Sequence, residues 1–217
     1  MPLPLTLGID TATDVCSVAL IEGDRALFEA TLAVPRAHGR QLAPLIGEAF
    51  AHTGRDMADL GLVAVSAGPG SYTGLRIGMS TAKGLCLSTG ADLVAVPTLL
   101  ALADGTKGTV AVVLPSRRGE VYASVVTDGA EVGEPAAVAV DQAEAWLPSG
   151  VDAIGGPGAD RLEGIRPDAP RLELCASAVA VARIGRARAD AHGVDDPGRL
   201  EPLYLKPVAA SQPRGIF

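Results

Sequence analysis

The first stretch whose residues could do chemistry is Asp10-Thr11-Ala12-Thr13, which lies between two apolar runs. A carboxylate beside hydroxyl groups in a tight turn can receive a phosphate or hold a metal ion through water. Asp10, Thr11 and Thr13 are therefore candidate nucleotide-binding residues. The same residue types also form Asx and ST turns, in which the side chains bond only to nearby backbone. From these residues alone, such a turn is the favoured interpretation.

A second candidate is the glycine-rich segment from Ser66 to Gly78, SAGPGSYTGLRIG. Its glycines predict a loop that leads into a helix, for which Thr73 is the predicted N-cap. The amide groups and the positive dipole end of a helix N-terminus suit an anion or a partner's carboxylate. The segment is not a Walker loop, because no Gly-Lys-Ser/Thr follows the glycines.

The remaining candidates are weaker. Gly155 and Gly156 begin a turn that could contact a nucleotide, although a plain strand-to-helix turn is the favoured interpretation. The three histidines form no i, i+4 pair, and the three cysteines lie far apart without a CxxC pair. The sequence therefore predicts no metal site and no catalytic residues.

The composition restricts the class of protein. The 217 residues are 48% hydrophobic with a formal net charge of −7. The apolar fraction excludes a disordered chain, and the acidic balance argues against independent binding to nucleic acid, which needs clustered Lys and Arg. There is no membrane-length apolar run and no visible secretory signal. Together with the sparse cysteines, this predicts a cytoplasmic protein without membrane association.

The elements that must position these candidates alternate in the first half as β-β-β-α-β-α-β-α. An amphipathic helix spans His38 to His52, and a second helix ends at Gly90. From Thr109 the second half repeats the strand-rich opening, and it has little helix before Ala176 to Ala191. The pattern predicts an α/β protein with a first lobe at 1–105, a smaller second lobe at 106–207 and a disordered tail at 208–217.

Two of these helices carry more apolar surface than one sheet face needs. Apolar residues recur at helical spacing in both, at Leu42, Leu45, Ile46 and Ala49 in the first helix and at Leu75 and Met79 in the second. One face of each helix must cover the protein's own sheet. The surplus predicts apolar surface that is partly exposed in the isolated chain and that a partner covers.

Four segments carry a resemblance to a known family: LGIDTATDVCSVAL (Leu7 to Leu20), RAHGRQLAPLI (Arg36 to Ile46), AGPGSYTGLRIG (Ala67 to Gly78) and EPLYLKP (Glu201 to Pro207). In this order, and over essentially the whole chain, they resemble the bacterial TsaB family, formerly YeaZ. The resemblance implies the two-lobe ASKHA fold of acetate and sugar kinases, Hsc70 and actin, here with a reduced second lobe. It also implies a non-catalytic relative of TsaD, the subunit that places threonylcarbamoyl on the adenosine beside the tRNA anticodon.

The resemblance further implies the partners. TsaD would bind through the first-lobe helices, TsaE would be a third component, and tRNA would be met only through the complex. A homodimer through the same surface is the less specific alternative when TsaD is absent. No cofactor of its own is expected. Weak nucleotide contact at a partner interface stays open. The implied interface residues are His38, Leu42, Leu45, Ile46, Ala49, Tyr72, Leu75, Arg76, Met79 and Lys83.

Two enzymatic alternatives stay open at this point, a small-molecule kinase or ATPase of the same fold and a metallopeptidase-like enzyme. TsaD holds its metal with an HxxxH pair, and by resemblance the ligand positions here are Thr98 and Leu102, which bind transition metals poorly. The chain also departs from the family at Pro115, where an aspartate is usual, and at His38-Gly39, where His-Ser is usual.

Overall fold

The structure is a computed structural model that describes residues 5–34 and 38–206. The predicted disordered tail at 208–217 lies outside these ranges. The described helices are α1 (His38–Thr53), α2 (Tyr72–Thr89), α3 (Thr98–Leu102), α4 (Ala143–Trp146) and α5 (Ala178–His192). The described strands are β1 (Leu5–Asp10), β2 (Cys16–Glu22), β3 (Arg25–Leu32), β4 (Leu60–Gly68), β5 (Asp92–Pro97), β6 (Thr109–Pro115), β7 (Glu120–Thr127), β8 (Ala130–Ala139), β9 (Ala153–Gly155) and β10 (Arg171–Leu172).

These strands form two five-stranded sheets with the same topology. The first has the order β3-β2-β1-β4-β5 and the second the order β8-β7-β6-β9-β10. Each sheet begins with a meander of three antiparallel strands. A fourth strand pairs parallel with the first strand of the meander, and the fifth pairs parallel with the fourth. This confirms the predicted α/β class and the predicted repetition of the strand meander. The two-residue β10 was not predicted.

The C-terminal helix α5 crosses back to the first sheet, where it packs on β1, β2, β4 and β5. The approach is close at Gly8, because a Cβ atom there would lie 2.0 Å from the carbonyl oxygen of Ala178. The chain after α5 stays with the first lobe, since the Leu203 amide donates to the Ala67 carbonyl. The observed division therefore differs from the predicted second lobe at 106–207, because α5 packs against the first sheet and Leu203 bonds to β4.

Helices α1 and α2 cover the other face of the first sheet, and their apolar stripes are wholly used there. Leu45 is 5% exposed and Met79 3% exposed, and the other stripe residues, Leu42, Ile46, Ala49 and Leu75, are buried as well. The prediction that these stripes are partly exposed in the isolated chain is wrong. The sheet is wide enough for α1 to lie over β2 and β3 while α2 lies over β4, so both predicted stripes are covered.

Candidate functional site

The candidate site begins with the turn after β1. Asp10 Oδ1 accepts a hydrogen bond from the Ala12 amide at 2.9 Å, and Thr13 Oγ1 accepts one from the Val15 amide at 3.2 Å. These are the bonds of an Asx turn and an ST turn, as the favoured interpretation predicted. Asp10 is fully buried, so its carboxylate does not reach solvent.

The glycine-rich loop closes directly over this turn. Thr11 Oγ1 donates to the Gly74 carbonyl at 2.7 Å, and the Ser71 amide donates to the Ala12 carbonyl at 2.7 Å. The N-cap of α2 is Ser71, not the predicted Thr73, and its Oγ accepts from the Gly74 amide at 3.3 Å. Two of the amides that the sequence suggested for an anion are therefore bonded within the protein. The geometry makes this loop a packing element.

Asp10 lies in a buried polar cluster. Burial is the largest influence on its carboxyl group and raises the pKa above its ordinary value of 3.8, while the Ala12 amide, Ser66 and His38 lower it. Asp10 Oδ2 and Ser66 Oγ have no hydrogen-bond partner among the described residues. His38 is buried too, and its Nε2 bonds to the Val15 carbonyl at 3.2 Å. His38 was expected at the partner interface, but it is buried within the protein.

We expect Asp10→Asn to stabilise the folded protein at neutral pH. The folded carboxyl group binds its proton more tightly than the unfolded one, so stability falls as pH rises from 3.8 through the raised pKa. An asparagine amide carries no charge and can donate a hydrogen bond to Ser66 Oγ, which has no partner among the described residues of the wild type. Leaving such a buried polar group unsatisfied costs about 1–3 kcal/mol. Urea unfolding between pH 4 and 8 measures the change, with the pH slope of the wild type as reference. A destabilised variant at pH 7 would contradict a raised pKa of the Asp10 carboxyl group.

A cleft of about 660 Å³ lies between the two sheets, next to the turn and the loop. Its walls come from both lobes and from the C-terminal segment 203–206. The three tyrosines of the sequence, Tyr72, Tyr122 and Tyr204, all line it. Pro115 also lies in this wall, at the position where the family pattern has an aspartate. The cleft thus has aromatic and apolar walls, which favour a planar or apolar group.

Two cations of the cleft are engaged within the protein. Arg161 donates to the carbonyls of Ser116, Arg117 and Glu120 at 2.9–3.0 Å. Lys206 pairs with the carboxylate of Glu120 and so ties the C-terminal segment to the second lobe. Both side chains therefore stabilise the wall of the cleft, and a phosphate would have to compete with these contacts.

The second-lobe glycines that were weak nucleotide candidates also pack tightly. The Gly156 amide donates to the Leu172 carbonyl at 3.3 Å. A Cβ atom on Gly156 would lie 2.5 Å from the Val113 carbonyl oxygen, and one on Gly155 would lie 2.7 Å from the Leu174 side chain. These contacts agree with the favoured interpretation of Gly155 and Gly156 as a plain structural turn.

The outward faces of α1 and α2 form a surface of which the predicted interface included only Tyr72, Arg76 and Lys83. On α1 one row of exposed residues recurs every four positions and is small: Gly39, Ala43, Gly47 and Ala51. Larger side chains are exposed beside this row, namely Arg40, Gln41, Pro44, Glu48 and His52. On α2 the outward residues lie three or four positions apart, at Tyr72, Arg76, Ser80, Lys83 and Leu87, and Leu87 is 82% exposed. Gly39 borders Ile77 of α2, so the two faces adjoin. The detectable signal was this four-residue period, which was passed over because the residues are not strongly apolar.

Comparison with known proteins matches the family model described as TsaD, tRNA N6-adenosine threonylcarbamoyltransferase, over residues 32–179. TsaB of Escherichia coli is 37% identical over 123 residues, which cover 54% of this chain and 52% of that protein. An uncharacterized protein of Mycobacterium tuberculosis is 33% identical over 210 residues, covering 92% of this chain and 90% of that protein. This chain belongs to the TsaB/YeaZ family. The match spans only about half the length of the Escherichia coli relative.

The fold agrees with this membership. YeaZ from Pseudomonas aeruginosa superposes with a TM-score of 0.80 at 24% identity, covering 94% of this chain and all of that one. A second Pseudomonas aeruginosa structure, described as similar to peptidase YeaZ, gives a TM-score of 0.82 at the same identity. Both support the ASKHA-like architecture. In the described part of the chain, no helix is long and apolar enough to cross a membrane.

The positions that the resemblance aligned with metal ligands have a structural role here. Thr98 is fully buried, and its Oγ1 accepts a hydrogen bond from the Gly68 amide at 3.0 Å. Leu102 is buried in the core between the sheets. Within 5–34 and 38–206, no group of three His, Cys, Asp or Glu side chains is placed to hold a metal ion. Thr98 thus orients the glycine-rich loop.

Proposed function

We propose that this protein is a non-catalytic subunit in tRNA threonylcarbamoyladenosine biosynthesis that binds a TsaD-type transferase. Relatives at 32–37% identity are named as biosynthesis proteins of this modification. The observation that carries the proposal is the pair of adjoining outward faces on α1 and α2. Small exposed side chains let a partner helix approach closely, and Tyr, Arg and Leu side chains beside them add contact area.

Several features support a non-catalytic role. The Asp10 carboxylate is buried beneath its turn and does not line the cleft. Burial, followed by the charge of Asp10, raises the pKa of the nearby Cys16 thiol to about 11, so the thiol is protonated and a poor nucleophile at neutral pH. Thr98 and Leu102 offer no strong metal ligand. These features argue against both the kinase and the metallopeptidase-like alternatives.

The other partners follow from the same proposal. With a formal net charge of −7, the chain would reach tRNA only through the complex, and TsaE would be a third component. Without the transferase, two copies could pair through the α1 and α2 faces as a homodimer. A nucleotide would contact the tyrosine-lined cleft only weakly, with a partner completing the site.

The experiment is to measure binding of the purified chain to the TsaD protein of the same organism by calorimetry. We expect Ala43→Arg on the outward face of α1 to weaken binding at least about tenfold, because a long charged side chain blocks the close approach of the partner. Ala187→Arg is the matched control. Ala187 is equally an exposed helical alanine, but it lies on α5 across the sheet. The control should bind as the wild type does.

Three outcomes would contradict the proposal. Absence of complex formation by the wild type would remove the partner role. Equal binding by both arginine variants would place the contact away from α1. ATP turnover by the lone chain that survives repurification and is lost in Asp10→Asn would favour the kinase alternative.

A further inference from the structure

Arg76 lies on the outward face of α2 and is held in place by two tyrosines. Its guanidinium carbon lies 4.0 Å from the centre of the Tyr72 ring, and its Nε donates to the Tyr204 hydroxyl at 3.1 Å. The two tyrosine rings pack on each other with centroids 5.1 Å apart. An exposed arginine held this way is largely preorganised, so it loses less side-chain freedom when a ligand binds.

This cation has no anionic partner among residues 5–34 and 38–206. Helix α2 contains no Asp or Glu, and among the described residues no ion pair involves Arg76 or Lys83. A small groove of about 240 Å³ lies between α2 and the C-terminal segment, lined by Arg76, Ser80 and Lys83. Glu201 lines the groove too, yet it pairs with neither cation. Two cations on one helix face stand out in a chain whose net charge is −7.

We infer that Arg76, held by Tyr72 and Tyr204, is the receptor for a side-chain carboxylate on the partner protein, with Lys83 adding charge along the same groove. This rests on the proposed function, since it names the chemistry that the transferase must present to α2. A planar guanidinium can bind a carboxylate through two parallel hydrogen bonds, and neighbouring tyrosine rings shield such a pair from water. The partner surface opposite α2 is therefore acidic.

The test compares three variants in calorimetric binding to the TsaD protein of the same organism. Arg76→Gln keeps length and polarity but loses the charge, and it should weaken binding about tenfold or more. Tyr204→Phe keeps the ring but removes the hydroxyl that holds Nε, and it should weaken binding by a smaller factor. Arg118→Gln, at an exposed arginine in the turn between β6 and β7, is the control and should bind as the wild type does.

Salt dependence separates a charge contact from a purely structural effect. Raising the ionic strength from about 0.1 M to 1 M should weaken wild-type binding more than binding by Arg76→Gln. Thermal unfolding should be unchanged for Arg76→Gln, because the side chain is exposed. If Ala43→Arg loses binding while Arg76→Gln binds normally, the carboxylate receptor is wrong and the proposed function stands. If the wild type does not bind the transferase, the proposed function itself fails.

Discussion

Leu45→Glu and Met79→Glu should each unfold the isolated chain at room temperature or lower its stability severely. Both side chains are buried between their helices and the first sheet, at 5% and 3% exposure. A carboxylate there would be desolvated without a partner, which costs several kcal/mol by the usual reckoning. That is comparable to the whole stability of a typical domain, about 5–15 kcal/mol.

Circular dichroism during urea or thermal unfolding of the lone chain measures this effect. Leu87→Glu is the matched control, because Leu87 lies on α2 but is 82% exposed. It should change the free energy of unfolding by about 0.5 kcal/mol or less. If Leu45→Glu and Met79→Glu unfolded at the wild-type midpoint, the apolar stripes of α1 and α2 would be exposed in the isolated chain. The partner surface would then include these two residues, as the sequence predicted.

Gly74→Ala should destabilise the protein by roughly 3 kcal/mol, the upper end of the usual cost of overpacking. The added Cβ atom would lie 2.0 Å from the Thr11 carbonyl oxygen, which is backbone and cannot rotate away. Relief of the clash must move either the turn after β1 or the start of α2. That movement breaks the hydrogen bond from Thr11 Oγ1 to the Gly74 carbonyl.

Gly84→Ala in the same helix is the control, since no atom lies within 4 Å of its added Cβ. It should stabilise the protein by about 0.5–1 kcal/mol, the usual gain from replacing glycine inside a helix. The two variants should therefore change the free energy of unfolding in opposite directions. Chemical denaturation of both variants measures this change. Equal midpoints for Gly74→Ala and Gly84→Ala would mean that the turn does not pack on α2.

The sequence by itself predicted most elements of the first lobe, because their signals are local. Helix α1 begins at His38 as predicted and ends one residue beyond His52. Helix α2 ends before Gly90, whose φ of 78° is the left-handed geometry that glycine favours. Periodicity and caps act over a few residues, so they need no knowledge of the rest of the chain.

Tertiary structure alone decided what covers each helix face. A stripe of Leu42, Leu45 and Ile46 shows that one side of α1 avoids water, but its own sheet and a partner would satisfy the pattern equally well. The return of α5 to the first sheet was equally hidden, since it joins segments more than 100 residues apart, as in the bond from the Ala178 amide to Ser17 Oγ, 161 residues away. Such pairings depend on the packing of the whole chain.

The candidate site shows the same division. Its residue types, an aspartate with hydroxyls and a glycine-rich loop, were evident from the sequence, and so was their turn chemistry. Only the parallel pairing of β1 with β4 brings the two segments to one edge of the sheet. There Thr11 bonds to Gly74, 63 residues away, and the Ala12 carbonyl takes the Ser71 amide. Local pattern determines which groups could bind a ligand, and long-range packing determines which of them the protein has already bonded to itself.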